Sequence, residues 1–452
     1  MSDSHTAAPD AAPKSAFAVR DFRFFWAARF LASFSSLMTV VGIGWQVYEI
    51  ARRTHTIKEA SLYLGLIGLV QFVALAGCSL FAGHVIDRVD RRWVARGAIA
   101  LEIVALAWLF GHTILDGQTL WPIFVAATLL GVGRAFMGPS LQALAPNLVP
   151  LKILPNAIAW NSIAWQTAAV GGPAACGYLM AGGPQWVYGT CLALLSLALA
   201  AMFCIRPVPH TVAPKDRPWK SILAGLKYIR TNRIILGAIT LDLFAVLLGS
   251  ATAMLPVYAR DVLMVGPEGL GNLRAAPAVG AAIVAVLLAR FGLRRNVGLW
   301  MFACVGLFGL CTVVFGLSRS FPLSLAALTV LGGADMVSVY VRQSLLQLYT
   351  PDEMRGRVAS AGTLFVSASN ELGEFYAGLV ARLLGAVPAV VMGGCAAMLV
   401  TALWAWAFPE LRKANKLVPP EPESRPDSRP ESGPEAGPEH APSGKAKAAS
   451  GS

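Results

Sequence analysis

The apolar residues of this chain arrive in blocks, and the blocks constrain its fold more than any other feature. Each runs for roughly 20 to 27 residues, the length a helix needs to cross a hydrocarbon core about 30 Å thick. Only 14% of the 452 residues are charged, where a soluble protein carries about a quarter. A soluble multi-domain fold is therefore excluded.

Twelve spans follow from the blocks. In the first half they lie at about 24–48, 62–83, 94–114, 120–144, 154–181 and 184–205. In the second half they lie at about 234–258, 271–291, 296–317, 321–346, 358–385 and 387–409. The expectation is an all-α membrane protein of two pseudo-symmetric six-helix bundles. The division reads as a disordered tail over 1–19, a first bundle over 20–206, a cytoplasmic linker over 207–233, a second bundle over 234–410 and a disordered tail over 411–452. The second tail is Pro-, Glu- and Ser-rich and has no apolar surface to bury.

The net charge of +12 reports topology rather than nucleic acid. Basic residues cluster between alternate blocks, as with Arg88, Arg91, Arg92 and Arg96, then Arg290, Arg294 and Arg295, then Arg355 and Arg357. The central loop adds Lys215, Lys220, Lys227, Arg230 and Arg233. With both termini inside, inner loops hold basic residues over outer ones by roughly three to one, the sign of a multi-pass protein of a bacterial plasma (inner) membrane with cytoplasmic ends. The start of the chain lacks the order of a cleavable signal peptide, so the first block is expected to act as the insertion signal. All seven cysteines fall in apolar blocks, where small buried residues are expected rather than disulfides or metal ligands. No cofactor or metal is expected.

Within the linker, WKSILAGLKYIRTNR places Trp219, Ile222, Leu223, Leu226 and Ile229 on one helical face. That pattern fits an amphipathic helix on the inner membrane surface or an extension of the seventh span.

The halves superpose in sequence with a shift of 201 residues: Gly131 falls on Gly332, Gln142 on Gln343, Pro150 on Pro351, Gly172 on Gly373 and Gly177 on Gly378. Duplicated halves related by an axis along the membrane normal form a transporter architecture, with the substrate path between them. The same shift lays Arg134 on Asp335, so equivalent positions carry opposite charges at one depth.

The segment Gly83-His84-Val85-Ile86-Asp87-Arg88-Val89-Asp90-Arg91-Arg92 resembles the signature loop of the major facilitator superfamily, departing from it at Asp90, where that pattern has Gly. The resemblance implies that the loop docks on the other half, with Asp87 meeting the N-terminal end of the eleventh span, where unpaired N–H groups attract a carboxylate. Glu353, Arg355 and Arg357 stand there as partners, and Asp87, Arg88, Arg91 and Arg92 are expected to latch the inner side. Gly172, Pro173 and Gly177 on the fifth span resemble the glycine-proline motif of proton-coupled exporters, with an expected helix bend; a generic packing cluster is the other reading. The stretches GWQVYE (44–49), LPVYARDVL (255–263), LRAAPAVGA (273–281), RQSLLQ (342–347), TPDEMRGRV (350–358) and SNELGEF (369–375) resemble bacterial exporters of the enterobactin-exporter branch, with macrolide-efflux carriers more distant.

Ionisable residues inside spans are costly and face partners or a cavity. Here they are Arg29, Glu102, Arg134, Asp242, Asp335, Arg342, Glu371 and Glu374. They read either as fixed ion pairs or as a proton-titrating set in which Asp242, Asp335 and Glu371 lead and Arg29 and Arg134 are counter-ions. Trp45, Gln46, Gln71, Trp160, Asn161, Trp165, Gln166 and Asn370 are candidates to line a cavity for a large amphipathic substrate. No P-loop, HExxH or GxSxG occurs, so the expectation is a monomeric secondary transporter, not an enzyme. It would export a small siderophore, drug or metabolite against protons. Import, uniport and a membrane-sensor role stay open.

Overall fold

The computed structural model describes residues 15–207, 218–293 and 295–414, without the side chains of 80, 218–222, 352, 353, 360 and 364. Among the described residues there are helices and turns and no strands. The helices are α1 (Arg20–Thr54), α2 (Ile57–Arg88), α3 (Arg91–Ile114), α4 (Trp121–Leu144), α5 (Leu154–Ala181), α6 (Pro184–Phe203), α7 (Pro218–Thr231) and α8 (Arg233–Leu248). After α8 the chain loosens into a short α9 (Leu255–Val257) and a π-turn (Tyr258–Val262). There follow α10 (Gly266–Phe291), α11 (Val297–Leu317), α12 (Phe321–Tyr349), α13 (Asp352–Leu384), α14 (Ala386–Ala407) and α15 (Pro409–Arg412).

Ten of these segments are long and apolar enough to cross a membrane. The other two long helices, α5 and α13, have 28 and 33 residues. They carry the polar residues Asn156, Asn161 and Gln166, and Asn370, Glu371 and Glu374, respectively.

Packing repeats from one half to the other. In the first half α1 packs on α5 and α6, α2 on α4, and α3 on α4 and α6. In the second, α8 packs on α13 and α14, α10 on α12, and α11 on α12 and α14. The main contacts between halves repeat too, α2 against α13 and α10 against α5. This is the two-fold arrangement expected from the internal repeat, and the backbone keeps it in detail. Gly183, ahead of α6, and Gly385, ahead of α14, both take a positive φ (114° and 102°), which glycine adopts at no steric cost.

Alternation gives the molecule two ends. One carries the α2–α3 turn, the α4–α5 connection and the central linker; we call it the linker side. The other, the far side, carries the α1–α2, α5–α6 and α13–α14 turns.

On the linker side the ordered chain reaches beyond the expected tail boundaries. Residues 16–18 form a 3₁₀ turn with Ala16 buried and its N–H bonded to the Asn156 side chain at 2.9 Å. Phe17 sits edge-on to Trp160 and Trp26. At the other end Leu411 is buried and the Ala414 carbonyl accepts from the Gly298 N–H. Both corrections have one cause, that aromatic and aliphatic side chains next to a bundle find core to fill. The remaining expectations for the tails lie outside the described residues.

Helix α7 is separate from α8. Asn232 breaks the chain and caps α8, its side chain accepting from the N–H groups of Ile234 and Ile235. Ile229 is buried with Leu346, Val358 and Ala361, and the Tyr228 hydroxyl donates to the Tyr349 carbonyl at 2.7 Å. Leu223, Lys227 and Arg230 stay exposed. The helix is docked on α13 rather than extending the seventh span.

Two cysteines depart from the expected burial. Cys204 is exposed just past α6, and Cys395 is exposed on α14, a helix that packs within the bundle on one face only.

Asp90 explains its own departure from the glycine pattern. It is the N-cap of α3, accepting from the Arg92 N–H at 3.0 Å and from the Arg92 guanidinium at 2.6 Å. The Arg92 hydrogen bond holds its carboxyl below the usual carboxylate range. Its contribution is therefore present at neutral pH and lost as pH falls through that depressed value. Asp90→Ala is expected to destabilise the fold by about 1 kcal/mol, and Asp90→Asn, which keeps a cap, by less. Thermal unfolding in detergent at neutral pH measures both.

Candidate functional site

Helices α2 and α13 run antiparallel across the junction of the halves with almost no side chain between them. A Cβ on Gly65 would meet the Gly378 backbone at 3.0 Å, and one on Gly68 would meet Glu374 at 3.0 Å. The symmetry-related pair meets at Gly177 and Gly271, where a Cβ on Gly177 would lie 2.9 Å from the Gly271 Cα. Small residues let backbones approach closely where no solvent drives association. Gly177 thus has a definite place in the seam. Pro173 is buried inside an uninterrupted α5, and Gly172 lies against the Phe34 carbonyl of α1.

These contacts concentrate toward the far side. Along the α5 face that meets α10, Pro173 and Gly177 are buried, but Pro155, Ala159 and Ser162 are exposed. Along α10, Gly271 is buried and Ala289 exposed. The two helices part toward the linker side, leaving a cleft that narrows to a closed far end.

At its head the cleft holds a cavity of about 540 Å³ of empty space, part of it open to solvent. Both halves line it: Val40 and Gly44 of α1, Gln71 of α2, Pro256 of α9, Arg274 of α10 and Glu374 of α13. Arg134 of α4 donates to Gln71 at 2.8 Å and to Glu371 of α13 at 3.1 Å, so its charge is matched from the opposite half. Arg274 reaches Glu374 at 3.6 Å and the Thr252 carbonyl at 3.2 Å.

The far end is closed by a second set of charges that the sequence analysis did not single out. Arg52 pairs with Asp261 at 3.3 Å, and Arg260 with Glu49 at 3.4 Å. The Tyr48 hydroxyl donates to Asp261 at 2.6 Å. Here the end of α1 is held to the π-turn by two opposite ion pairs and a phenol. Tyr48, Glu49, Arg260 and Asp261 lie in stretches quoted above for their family resemblance, and Arg52 lies just beyond one of them. Complementary charge at two span ends was the available signal, but nothing in the order of residues says that these two ends meet.

The other predicted residues divide. Asp242 pairs with Arg342 at 3.3 Å inside the second half, and Asp335 faces the same polar pocket. Glu102 is buried in the first half, with the Ser36 hydroxyl donating to it at 3.3 Å. Arg29 has no acidic partner among the described residues, and its Nε is buried without a hydrogen bond. Gln166 bridges the halves, donating to the Ala278 carbonyl at 2.7 Å.

Gln46 does not reach the cavity. It is buried between Tyr188 and Thr113, because its place on α1 turns it toward α6. Asn161 is buried in the first half with its side-chain oxygen unpartnered. Trp45 packs on the core, Trp160 lies against Phe17 and Trp26, and Trp165 and Asn370 are exposed.

The hydrogen bonds and ion pair described below for the expected latch lie within single halves. Arg91 donates to the Ala143 carbonyl at 2.9 Å, and Arg92 to Asp90 and the Ile205 carbonyl. These bonds lie inside the first half and do not bridge, and Nε of Arg91 is buried without a hydrogen bond. Arg88 is exposed, and a Cβ on Gly83 would meet open space. Asp87, Arg355 and Arg357 are each engaged by a neighbour, while the side chain of Glu353 lies outside the described residues.

Two duplicated helical bundles around a polar cleft define a transporter of the major facilitator type. The chain belongs to the family described as "Transmembrane secretion effector", matched over residues 11–434. It is 27% identical over 402 residues to the "Enterobactin exporter EntS" of Shigella boydii serotype 18, covering 87% of this chain and 94% of that one. Over the same span it is 26% identical to the exporter of that name from Escherichia coli O1:K1 / APEC. Its fold is similar to that of the POT family transporter PepTSo (TM-score 0.70, 11% identity, 88% and 99% of the two chains). It also resembles a D-xylose–proton symporter (TM-score 0.65, 14% identity, 86% and 97%).

If the two far-side pairs hold the cleft shut, breaking one opens it. Arg52→Asp is expected to raise the reactivity of a cysteine placed at Leu64, in the cavity wall, toward an impermeant thiol reagent added from the far side. Arg52→Asp combined with Asp261→Arg restores the low reactivity. Exposed pairs contribute up to about 1 kcal/mol each, enough to shift a balanced equilibrium severalfold. Equal reactivity in all three proteins would rule out this lock.

Proposed function

We propose that the chain is a proton-coupled exporter of a small amphipathic molecule, of siderophore, drug or metabolite size, working by alternating access in a bacterial inner membrane. The carrying observation is the cleft itself: sealed at one end by charge pairs between the halves, parted at the other, and headed by a cavity in which Arg134 and Glu371 meet from opposite bundles. Such pairs hold one access state and must separate in the other. Their partners change as the halves rock, so the charges of the cleft must be matched anew in each access state. The exporter relatives support the direction.

On this reading the linker side is cytoplasmic and both termini lie there, because the exposed cations Arg88, Lys227, Arg230 and Arg233 collect on that side. The parted end then faces the cytosol, where an exporter loads. The halves divide at the linker, with bundles over 20–206 and 234–410. The α2–α13 register supports a role for Asp87 at the inner latch. Gly68 lies opposite Glu374, and the same antiparallel register carried down both helices brings Asp87 level with Arg355 in the first turn of α13. In this assignment Arg91 and Arg92 fix the loop to its own half, and Asp87 makes the crossing contact.

Everted membrane vesicles test the function. With an acidic interior, a proton-driven exporter accumulates labelled enterobactin or an amphipathic dye from the bath, and accumulation collapses with a protonophore. Accumulation driven by an alkaline interior would instead make the chain an importer. Glu371→Gln is expected to remove uphill accumulation while leaving exchange of labelled for unlabelled substrate across the same vesicles. Unimpaired uphill accumulation by this variant would clear Glu371 of a part in coupling.

A further inference from the structure

A second cavity lies away from the cleft, enclosed by three helices of the second half. Counting space open to solvent, it amounts to about 220 Å³ between atoms, and it is lined by Asp242, Ala245 and Val246 of α8, Val305 and Phe308 of α11, and Asp335 and Ser338 of α12. It shares no lining residue with the cavity between the halves.

Its polar groups are unevenly matched. Asp242 is paired with Arg342 through one carboxylate oxygen. Asp335 has no hydrogen-bonded or ion-paired partner among the described residues. Ser338 is 2% exposed, and its hydroxyl is buried without a hydrogen bond, as is Nε of Arg342. Along α12 the order Asp335, Ser338, Arg342 follows the i, i+3, i+7 spacing of one helical face. Two carboxylates therefore share one guanidinium in an apolar surround, one negative charge in excess.

The neighbouring helices supply nothing to cancel it. Helix α11 carries no charged residue. On α10, Arg274 is committed to Glu374, and Arg290 is exposed at the linker-side end. On α13, Glu371 is held by Arg134. From α8 only Asp242 faces the site. An excess charge at this depth costs several kcal/mol unless neutralised.

We propose that this cavity, and not the cleft, is where the transport cycle loads its proton, on Asp335. The step forms one O–H bond at an Asp335 carboxylate oxygen with a proton from water on one side. It breaks the same bond when the proton leaves to the other side, so the cluster alternates between one negative charge and none. The protonated carboxyl has Ser338 and the free oxygen of Asp242 as acceptors. A metal ion fits poorly. Hard cations take about six oxygens, whereas the side chains here supply four carboxylate oxygens, one already held by Arg342, and a hydroxyl. The helical carbonyls are bonded within their helices.

The placement also gives a route from proton to gate. Helix α8 leads through Gly249 and Ser250 to the π-turn that carries Arg260 and Asp261, the partners of Glu49 and Arg52 at the far end. Charging Asp335 beside Asp242 pushes α12 and α8 apart, and neutralising it lets them close. That movement reaches the far-side lock along the chain, so proton and substrate need not compete for one site. This inference rests on the proton-coupled reading above.

The test uses the full chain in lipid nanodiscs, with native cysteines replaced and spin labels at Leu115→Cys and Glu268→Cys, exposed far-side positions on opposite halves. The distance between labels is expected to titrate with pH. Asp335→Asn fixes it at the low-pH value, Asp335→Glu restores a titration with a displaced midpoint, and Glu371→Gln still titrates. Should Asp335→Asn fail to fold, Ser338→Ala keeps both carboxylates and is expected to displace the midpoint. A titration that survives Asp335→Asn, vanishes with Glu371→Gln, ignores Ser338→Ala or is reproduced by sodium at fixed pH overturns the assignment, as does a distance that never responds to pH. Uphill accumulation retained by Asp335→Asn in everted vesicles would also overturn it, yet leave proton-coupled export standing.

Discussion

Charge in a hydrocarbon layer must be matched, and in this protein three ion pairs do so across the junction of the halves. Arg134 is answered by Glu371, Arg52 by Asp261 and Arg260 by Glu49, while Arg274 meets Glu374 within the second half. In a soluble protein such pairs would be minor terms. In the membrane interior, separating the Arg134–Glu371 pair without a substitute costs several kcal/mol, and each of the three crossing pairs favours one relative position of the halves. The substitute is what a transport cycle supplies: water entering an opened cleft, a proton on a carboxylate, or a polar group of the substrate.

Apolar packing sets the scale on which those charges act. At Gly65 against Gly378 and at Gly177 against Gly271 the backbones nearly touch, so the far end closes without interdigitated side chains that would have to be withdrawn. A seam of glycines slides or parts at low cost, and the charges then decide where it rests. Elsewhere the glycines serve cohesion within a half. A Cβ on Gly280 would strike the Thr329 carbonyl, and one on Gly332 that of Pro277, which locks α10 to α12. Glycine thus sets close helix approach both within a half and at the junction between halves.

Much of the architecture was legible in the sequence because membrane burial writes itself in one dimension. Block length gives spans, and the shift of 201 residues gives two related halves. The same one-dimensional reading failed where azimuth matters. Gln46 and Gln71 have equal claims on paper, yet α1 turns Gln46 toward Tyr188 while α2 turns Gln71 toward Arg134. Arg91 and Arg92 looked like two more latch residues, but each found a carbonyl in its own half first. Arg274 was passed over inside a stretch noted only for resemblance, and its partner is Glu374 on another helix of the same half. Asp90 was legible as a departure and became intelligible only as a helix cap.

The two halves share a fold and divide the electrostatics. The first half has one fully internal acid, Glu102, touched by Ser36, and sends Arg134 outward to its neighbour. The second half holds Asp242, Asp335 and Arg342 together within itself and also sends Glu371 and Glu374 to meet the arginines of the cleft. Duplication supplied Arg134 and Asp335 at equivalent positions, but they are not each other's partners. One became a strut between bundles, the other a half-buried group lining a pocket within one. A symmetric scaffold with an asymmetric charge plan is what a coupled carrier needs. Equal halves give two access states of similar energy, while an unequal distribution of titratable groups lets one ion tip the balance between them.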